Sequence, residues 1–166
     1  MNKEKFRLDM QGAIFDLDGT LFDSMWVWNQ VDLDFLGKRG FEVPDDYTKA
    51  IAHMDAHRTA RYTIDRFGLS EDIDDIVNEW FEMAKDKYAY DVICKQGAYE
   101  YVEKLHNQGV KIAIATSSDK VLFEKTLERT GLNKFIDAVV MVKEVNKGKS
   151  HPDVYLEAAR RLGTNP

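Results

Sequence analysis

The sequence predicts an α/β protein with a parallel β-sheet at its core, and three observations carry this prediction. Residues 12–17 and 110–115 are short apolar runs that end in small or polar residues, as buried parallel strands do. A third apolar run covers residues 138–142. Stretches with helical periodicity separate these runs, and that alternation of strand and helix is typical of α/β folds.

The helices follow in order along the chain. Residues 24–108, between the first and second strands, contain no convincing strand, although a crossover needs only about a dozen residues. The excess predicts an inserted helical cap over residues 24–93, with a Rossmann-like core formed by residues 1–23 and 94–166. Within that core, apolar residues at helical spacing predict one helix before Gly109 and another before Gly163.

The composition excludes several classes of protein. Of the 166 residues, 44% are hydrophobic, which is enough for a single core with a modest insertion. The formal net charge is -6, and no cluster of Lys and Arg indicates a nucleic-acid partner. No apolar run approaches the roughly 20 residues of a membrane helix. Because Cys94 is the only cysteine and the charged start leads into no signal peptide, we expect a cytoplasmic protein.

Polar side chains follow each predicted strand at its carboxyl end. Asp16 and Asp18 follow the first strand, and the hydroxyl cluster 116–118 (Thr-Ser-Ser) follows the second. Lys149 lies in the loop before the last helix. Ligands of open α/β sheets bind at this edge, and hydroxyls at a helix start favour anions. The three loops therefore predict a phosphate site with a carboxylate nucleophile.

Other interpretations of these residues fit less well. An EF-hand counted from Asp16 would place Leu21 and Val27 where a glycine and an acid are needed. A P-loop ending at Lys149 would need a glycine where Lys143 stands. His53 and His57 are one helical turn apart but lack the other ligands of a zinc site, so we expect them on the cap surface. The hydroxyls of residues 116–118 could also cap a helix, which is compatible with phosphate binding.

The same three segments resemble the motifs of the haloacid dehalogenase-like (HAD) superfamily. The run DLDGTL at residues 16–21 resembles the first motif, ATSS at 115–118 the second, and GKSHPD at 148–153 the third. Their order and spacing match across essentially the whole chain. The helical insertion is similar to the cap of the β-phosphoglucomutase-like phosphatases, which closes over the substrate.

The resemblance implies a Mg²⁺-dependent phosphatase that acts on a small phosphorylated metabolite. Asp16 would be the nucleophile that forms an aspartyl-phosphate, and Asp18 would be the general acid and base. The Asp16 carboxylate and the backbone carbonyl of Asp18 would bind Mg²⁺. Thr116, Ser117 and Lys149 would bind the phosphoryl group.

Departures from the family pattern bear on the choice of reaction. Trp28 stands where β-phosphoglucomutase has a histidine that helps to control transfer to a sugar, which favours hydrolysis. A sugar phosphomutase, or a catalytically impaired binding module, remains the alternative. Ser150 replaces the usual proline of the third motif, and Lys147 is a rival to Lys149. The substrate and the oligomeric state stay open.

The end of the chain carries a further expectation. In this family a strand should follow Gly163 and end in a pair of acidic metal ligands. The sequence stops at Pro166 with no acid after Gly163, and we expect the earlier Asp153 to cap the last helix. We therefore expect a C-terminally truncated member of the family that binds Mg²⁺ weakly and turns over slowly.

Overall fold

The computed structural model describes residues 10–164. In chain order its elements are β1 (Gly12–Phe15), β2 (Phe22–Asp23), α1 (Trp26–Lys38), α2 (Tyr47–Ile51), α3 (Ala56–Phe67), α4 (Ile73–Tyr90), β3 (Ile93–Cys94), α5 (Ala98–Asn107), β4 (Lys111–Thr116), α6 (Lys120–Thr130), β5 (Ala138–Met141) and α7 (Asp153–Leu162). Short 3₁₀ helices cover Leu132–Phe135 and Val142–Glu144.

The main sheet has the strand order β1-β4-β5, and all its strands are parallel. Phe15 pairs with Ile114, and Thr116 pairs with Met141, so the carboxyl ends of the three strands lie side by side. The central strand β4 is buried from Ile112 to Thr116, which explains its continuous apolar run. The predicted parallel α/β core is confirmed, with strand ends that differ from the prediction by one or two residues.

Helix α7 packs against all three strands of this sheet. Its residues Val154, Ala158 and Leu162 form one buried cluster with small side chains of the sheet, among them Ala113 and Ala115 of β4. Because side chains alternate across a strand, these two alanines share one face, and their small size lets the helix approach closely.

A second, two-stranded sheet has one of its strands, β3, in the region where the sequence predicts no strand. Strands β2 and β3 pair antiparallel, with Phe22 opposite Cys94 and Asp23 opposite Ile93. The expectation that residues 24–108 lack a strand is therefore wrong at Ile93–Cys94. Two residues are too short for an alternating pattern, so sequence periodicity does not detect such a strand.

The chain divides into two compact units. One contains the residues up to Asp23 together with Ile93 onwards, and the other is Ser24–Val92. The second junction falls one residue before the predicted boundary at 93/94. The two units correspond to the sheet with helices α5–α7 and to the helices α1–α4.

The helical unit has its own apolar core and a set of ion pairs between helices. Phe35 of α1 packs edge-on against Trp80 of α4, with ring centroids 5.3 Å apart. Across the same two helices Lys87 Nζ lies 2.6 Å from Asp34 Oδ2. Arg39 Nη2 lies 2.7 Å from an oxygen of Glu79. Helix α4 begins where the Asp72 side chain accepts a hydrogen bond from the amide of Asp74, and α3 ends at Gly68 with φ 66°.

Within residues 10–164, no helix is both long enough and apolar enough to cross a membrane.

Candidate active site

A tight loop after β1 presents the two predicted catalytic carboxylates. The amides of Thr20, Leu21 and Phe22 all donate to the carbonyl of Leu17, at 2.9–3.1 Å. The amide of Gly19 donates to the carbonyl of Phe22 at 3.0 Å, and its φ of 74° favours glycine at this position. Leu17 itself is fully buried, whereas the residues on either side, Asp16 and Asp18, are half-buried. The loop thus anchors on one apolar side chain and leaves both carboxylates at the carboxyl edge of the sheet.

The lysine of the third loop meets the first carboxylate. Lys149 Nζ contacts Oδ1 of Asp16, and the hydroxyl of Thr20 lies 3.4 Å from Oδ2 of the same carboxylate. Lys149 is half-buried, whereas its rival Lys147 is exposed. The structure therefore brings Lys149, and not Lys147, to Asp16.

The hydroxyl cluster after β4 is placed by hydrogen bonds of its own. Thr116 is fully buried, and its Oγ1 accepts the amide proton of Ser118 at 3.0 Å. The Ser118 hydroxyl donates to Oδ2 of Asp18. Ser117, between them, is exposed. Of the three hydroxyls, the one brought to the acid pair is Ser118.

Helix α6 begins beside this cluster without a side-chain cap. Asp119 occupies the N-cap position, but its carboxylate pairs with Lys143 Nζ at 2.8 Å instead of capping the helix. The hydrogen bond from Lys143 is the main cause that lowers the pKa of Asp119. Asp153 does not cap α7 as expected, because the helix begins at Asp153 itself and Pro152 holds the N-cap position. Its carboxylate instead adds favourable charge to the first helical turn.

The oxygen ligands at this edge of the sheet could supply part of the coordination shell of a divalent cation that prefers oxygen. Asp16 and Asp18 supply carboxylate and carbonyl oxygens from one loop. Among residues 10–164 no group of three or more His, Cys, Asp and Glu side chains could hold a metal. Mg²⁺ commonly binds through one or two carboxylates, with waters and substrate phosphates completing its shell. The two aspartates fit such a site.

Sequence reasoning found the two aspartates and Lys149 but not the contact of Ser118. Residues 117 and 118 are both serines, and the orientation of each depends on the loop backbone. A signal was present: a hydroxyl two residues after the threonine, in the loop that follows the strand next to β1, is placed to reach the β1 loop.

Comparison with known proteins now decides the family. The family model described as haloacid dehalogenase-like hydrolase matches residues 13–166. The chain belongs to this family. The predicted HAD-type hydrolase is therefore confirmed.

Named relatives point to phosphate chemistry within the family. The chain is 30% identical over 158 residues to the protein SUPPRESSOR OF QUENCHING 1, chloroplastic, of Arabidopsis thaliana, covering 93% of this chain and 15% of that protein. It is 27% identical over 160 residues to hexitol phosphatase B of Escherichia coli, covering 93% of this chain and 70% of the relative. The similarity to a named phosphatase supports an enzyme of the phosphatase or phosphomutase class.

A solved structure shows the same fold. A Thermotoga maritima protein assigned provisionally as a β-phosphoglucomutase superposes with a TM-score of 0.85 at 23% identity. The match covers 95% of this chain and 73% of that one. The match confirms the predicted fold.

Proposed function

We propose that this HAD-family chain is a Mg²⁺-dependent phosphatase that hydrolyses a small phosphorylated metabolite through an aspartyl-phosphate on Asp16. The observation that carries the proposal is the placement of two carboxylates with different partners in one loop. Asp16 contacts the ammonium of Lys149, and Asp18 contacts the hydroxyl of Ser118. The first arrangement places positive charge beside an attacking carboxylate, and the second gives Asp18 a partner that can both donate and accept a hydrogen bond.

The first half of the reaction forms the covalent intermediate. A carboxylate oxygen of Asp16 attacks phosphorus, the bond from phosphorus to the leaving oxygen breaks, and Asp18 gives that oxygen a proton. Lys149 supplies positive charge beside the attacking carboxylate, where a phosphate dianion would otherwise be repelled. Mg²⁺, held by the Asp16 carboxylate and the Asp18 carbonyl, would supply further positive charge to the same oxygens.

The second half releases inorganic phosphate. Water attacks phosphorus and gives its proton to Asp18, which the first half left ionised. The bond from phosphorus to Asp16 breaks, so both aspartates return to their starting states. Thr116 and Ser117 stay predicted contacts of the phosphoryl group. Thr116 is fully buried, and its hydroxyl oxygen accepts the amide proton of Ser118.

The substrate class follows from the chemistry of the site and from the named relative. Hexitol phosphatase B is named for a phosphorylated sugar alcohol. The carboxylates and the lysine of the candidate site interact mainly with the phosphate group of a substrate. We therefore propose phosphate monoesters of small polyols or sugars as the substrates. Nothing in the charge of the chain favours a nucleic-acid partner, because the net charge is -6.

The test compares three proteins with p-nitrophenyl phosphate and with a panel of sugar and polyol phosphates in the presence of Mg²⁺. We expect the wild-type chain to release phosphate and Asp16→Asn to fall to background. Asp45→Asn, the same change at an exposed residue of the helical unit, is the matched control and should behave as wild type. Equal rates for wild type and Asp16→Asn would contradict the proposal, and transfer of phosphate between sugar hydroxyls would favour the mutase.

A further inference from the structure

Ser118 and Asp18 come together from loops 100 residues apart. Asp18 lies three residues after β1, and Ser118 two residues after β4. These strands are neighbours, with Phe15 paired to Ile114, so both loops leave the same edge of the sheet side by side. The hydroxyl of Ser118 donates to Oδ2 of Asp18.

The backbone of Ser118 is held on both sides. Its amide donates to the buried Thr116 hydroxyl at 3.0 Å, and Thr116 in turn pairs with Met141 in the sheet. The following residue, Asp119, is bound to Lys143 at 2.8 Å. The Asp119 side chain does not cap α6, and the Ser118 hydroxyl donates to Asp18. These contacts fix the position from which the hydroxyl reaches Asp18.

The type of partner separates the two carboxylates. An ammonium can only donate hydrogen bonds, so Lys149 serves Asp16 as a donor alone. A hydroxyl both donates and accepts, so Ser118 can donate to an ionised Asp18 and accept from a protonated one. A group that gives a proton to the leaving oxygen and later takes one from water needs a partner that suits both forms.

We propose that Ser118 is a positioning residue for Asp18, holding one carboxyl oxygen in place so that the other faces the leaving group. This inference rests on the proposed phosphatase function and adds a residue to it. Misplacement of a reacting group by about 1 Å can cost on the order of 100-fold in rate. Loss of the Ser118 hydroxyl should therefore slow the departure of leaving groups that need a proton from Asp18. The departure of leaving groups that need no proton should keep its rate.

The test uses two substrates that differ in their demand for a proton. p-Nitrophenolate leaves without protonation, whereas the alkoxide of a polyol phosphate needs a proton from Asp18. The ratio kcat/KM reports only the steps up to departure of the leaving group, so later hydrolysis of the intermediate does not enter. We expect Ser118→Ala to lower kcat/KM for the polyol phosphate by about 10–100-fold, and for p-nitrophenyl phosphate by less than about 3-fold.

Two further variants make the result specific. Ser118→Thr keeps a hydroxyl at the same atom and should restore most of the activity towards the polyol phosphate. Ser70→Ala, the same deletion at an exposed serine of the helical unit, should match wild type with both substrates. Circular dichroism of each variant checks that it is folded.

Several outcomes would overturn the inference. Equal losses with the two substrates would show that Ser118 acts on the fold or on phosphate binding and not through Asp18. An unchanged Ser118→Ala would show that the contact has no role in the reaction. If the wild-type chain hydrolysed neither substrate, the proposed function itself would fall, and the inference with it; that result is distinct because it appears before any variant is compared.

Discussion

The Lys149 ammonium contacts Oδ1 of Asp16, a residue 133 positions earlier in the chain. The contact joins the loop before α7 to the loop after β1, and Lys149 is half-buried there. An ammonium so placed balances the charge of the carboxylate that is to approach a phosphate dianion.

We expect Lys149→Gln to lose roughly 100- to 1,000-fold in kcat, because removing one charge-stabilising donor from such a site typically costs that much. The measurement is steady-state phosphate release in the presence of Mg²⁺. Lys147→Gln is the matched control, since Lys147 is an exposed lysine two residues away in the same loop. A larger loss in Lys147→Gln than in Lys149→Gln would contradict this account, because it would give the role to Lys147.

The outer edge of β5 is covered by side chains of the same chain. Arg161 of α7 donates from Nη1 to the carbonyl of Val139 at 2.6 Å, and from Nη2 to Glu144 at 2.6 Å. Glu144 accepts the amide of Met141 at 2.8 Å. A backbone carbonyl and a backbone amide on the free side of β5 are thereby occupied, which blocks the addition of another strand.

We expect Arg161→Ala to uncover this edge, lower the free energy of unfolding by about 1 kcal/mol and promote self-association that grows with concentration. Sedimentation velocity and urea unfolding measure the two effects. Arg160→Ala is the control, because Arg160 pairs with Glu157 on the same helix but does not touch β5. If both variants kept the association state of the wild type up to the same concentration, edge protection by Arg161 would be ruled out.

Burial of a carboxyl in the helical unit makes its stability depend on pH. Desolvation raises the pKa of Asp32 from 3.8 to about 6. The folded state therefore holds this proton more tightly than the unfolded chain does. The contribution of Asp32 to the free energy of unfolding is greatest below pH 3.8 and is lost as the pH rises through about 6. The pKa of Tyr47 is raised to about 12, mainly because the phenol is buried and to a smaller extent because of the nearby Asp32 carboxylate.

We expect Asp32→Asn to stabilise the protein at pH 8 by about 1–2 kcal/mol, after allowance for the partial exposure of the group. Towards pH 4 this gain over wild type should disappear. Urea unfolding across that pH range measures both. Asp65→Asn, on the exposed side of α3, is the matched control. A gain that is constant with pH would mean that burial of the charge is not its cause.

Much of the core could be predicted because its strands are buried on both faces. The run before Asp16 and the run before Thr116 are apolar for that reason, and both became parallel strands. The small sheet of Phe22–Asp23 and Ile93–Cys94 could not be predicted, because strands of two residues are too short to show an alternation of apolar and polar side chains. Its pairing depends on contacts between distant segments, which local sequence does not encode.

The candidate site shows the same division. Asp16, Asp18 and Lys149 were predictable from motif order, because the carboxyl ends of parallel strands meet at one edge. The contact of Ser118 with Asp18 depends on loop dihedral angles, as does the choice of Lys149 over Lys147. Whether Thr116 and Ser117 bind phosphate stays a prediction.

The central claim is that Asp16 becomes phosphorylated during turnover. The most direct measurement is acid quenching of enzyme mixed with p-nitrophenyl phosphate and Mg²⁺, followed by peptide mass spectrometry. Asp18→Asn serves as the trap, because it lacks the base that activates water and should slow hydrolysis of the intermediate by roughly 100- to 10,000-fold. The account predicts a phosphoryl adduct on the peptide containing Asp16 in Asp18→Asn, and none when Asp16→Asn is added. An adduct on another residue, or no adduct in Asp18→Asn under conditions where the wild type turns over, would contradict it.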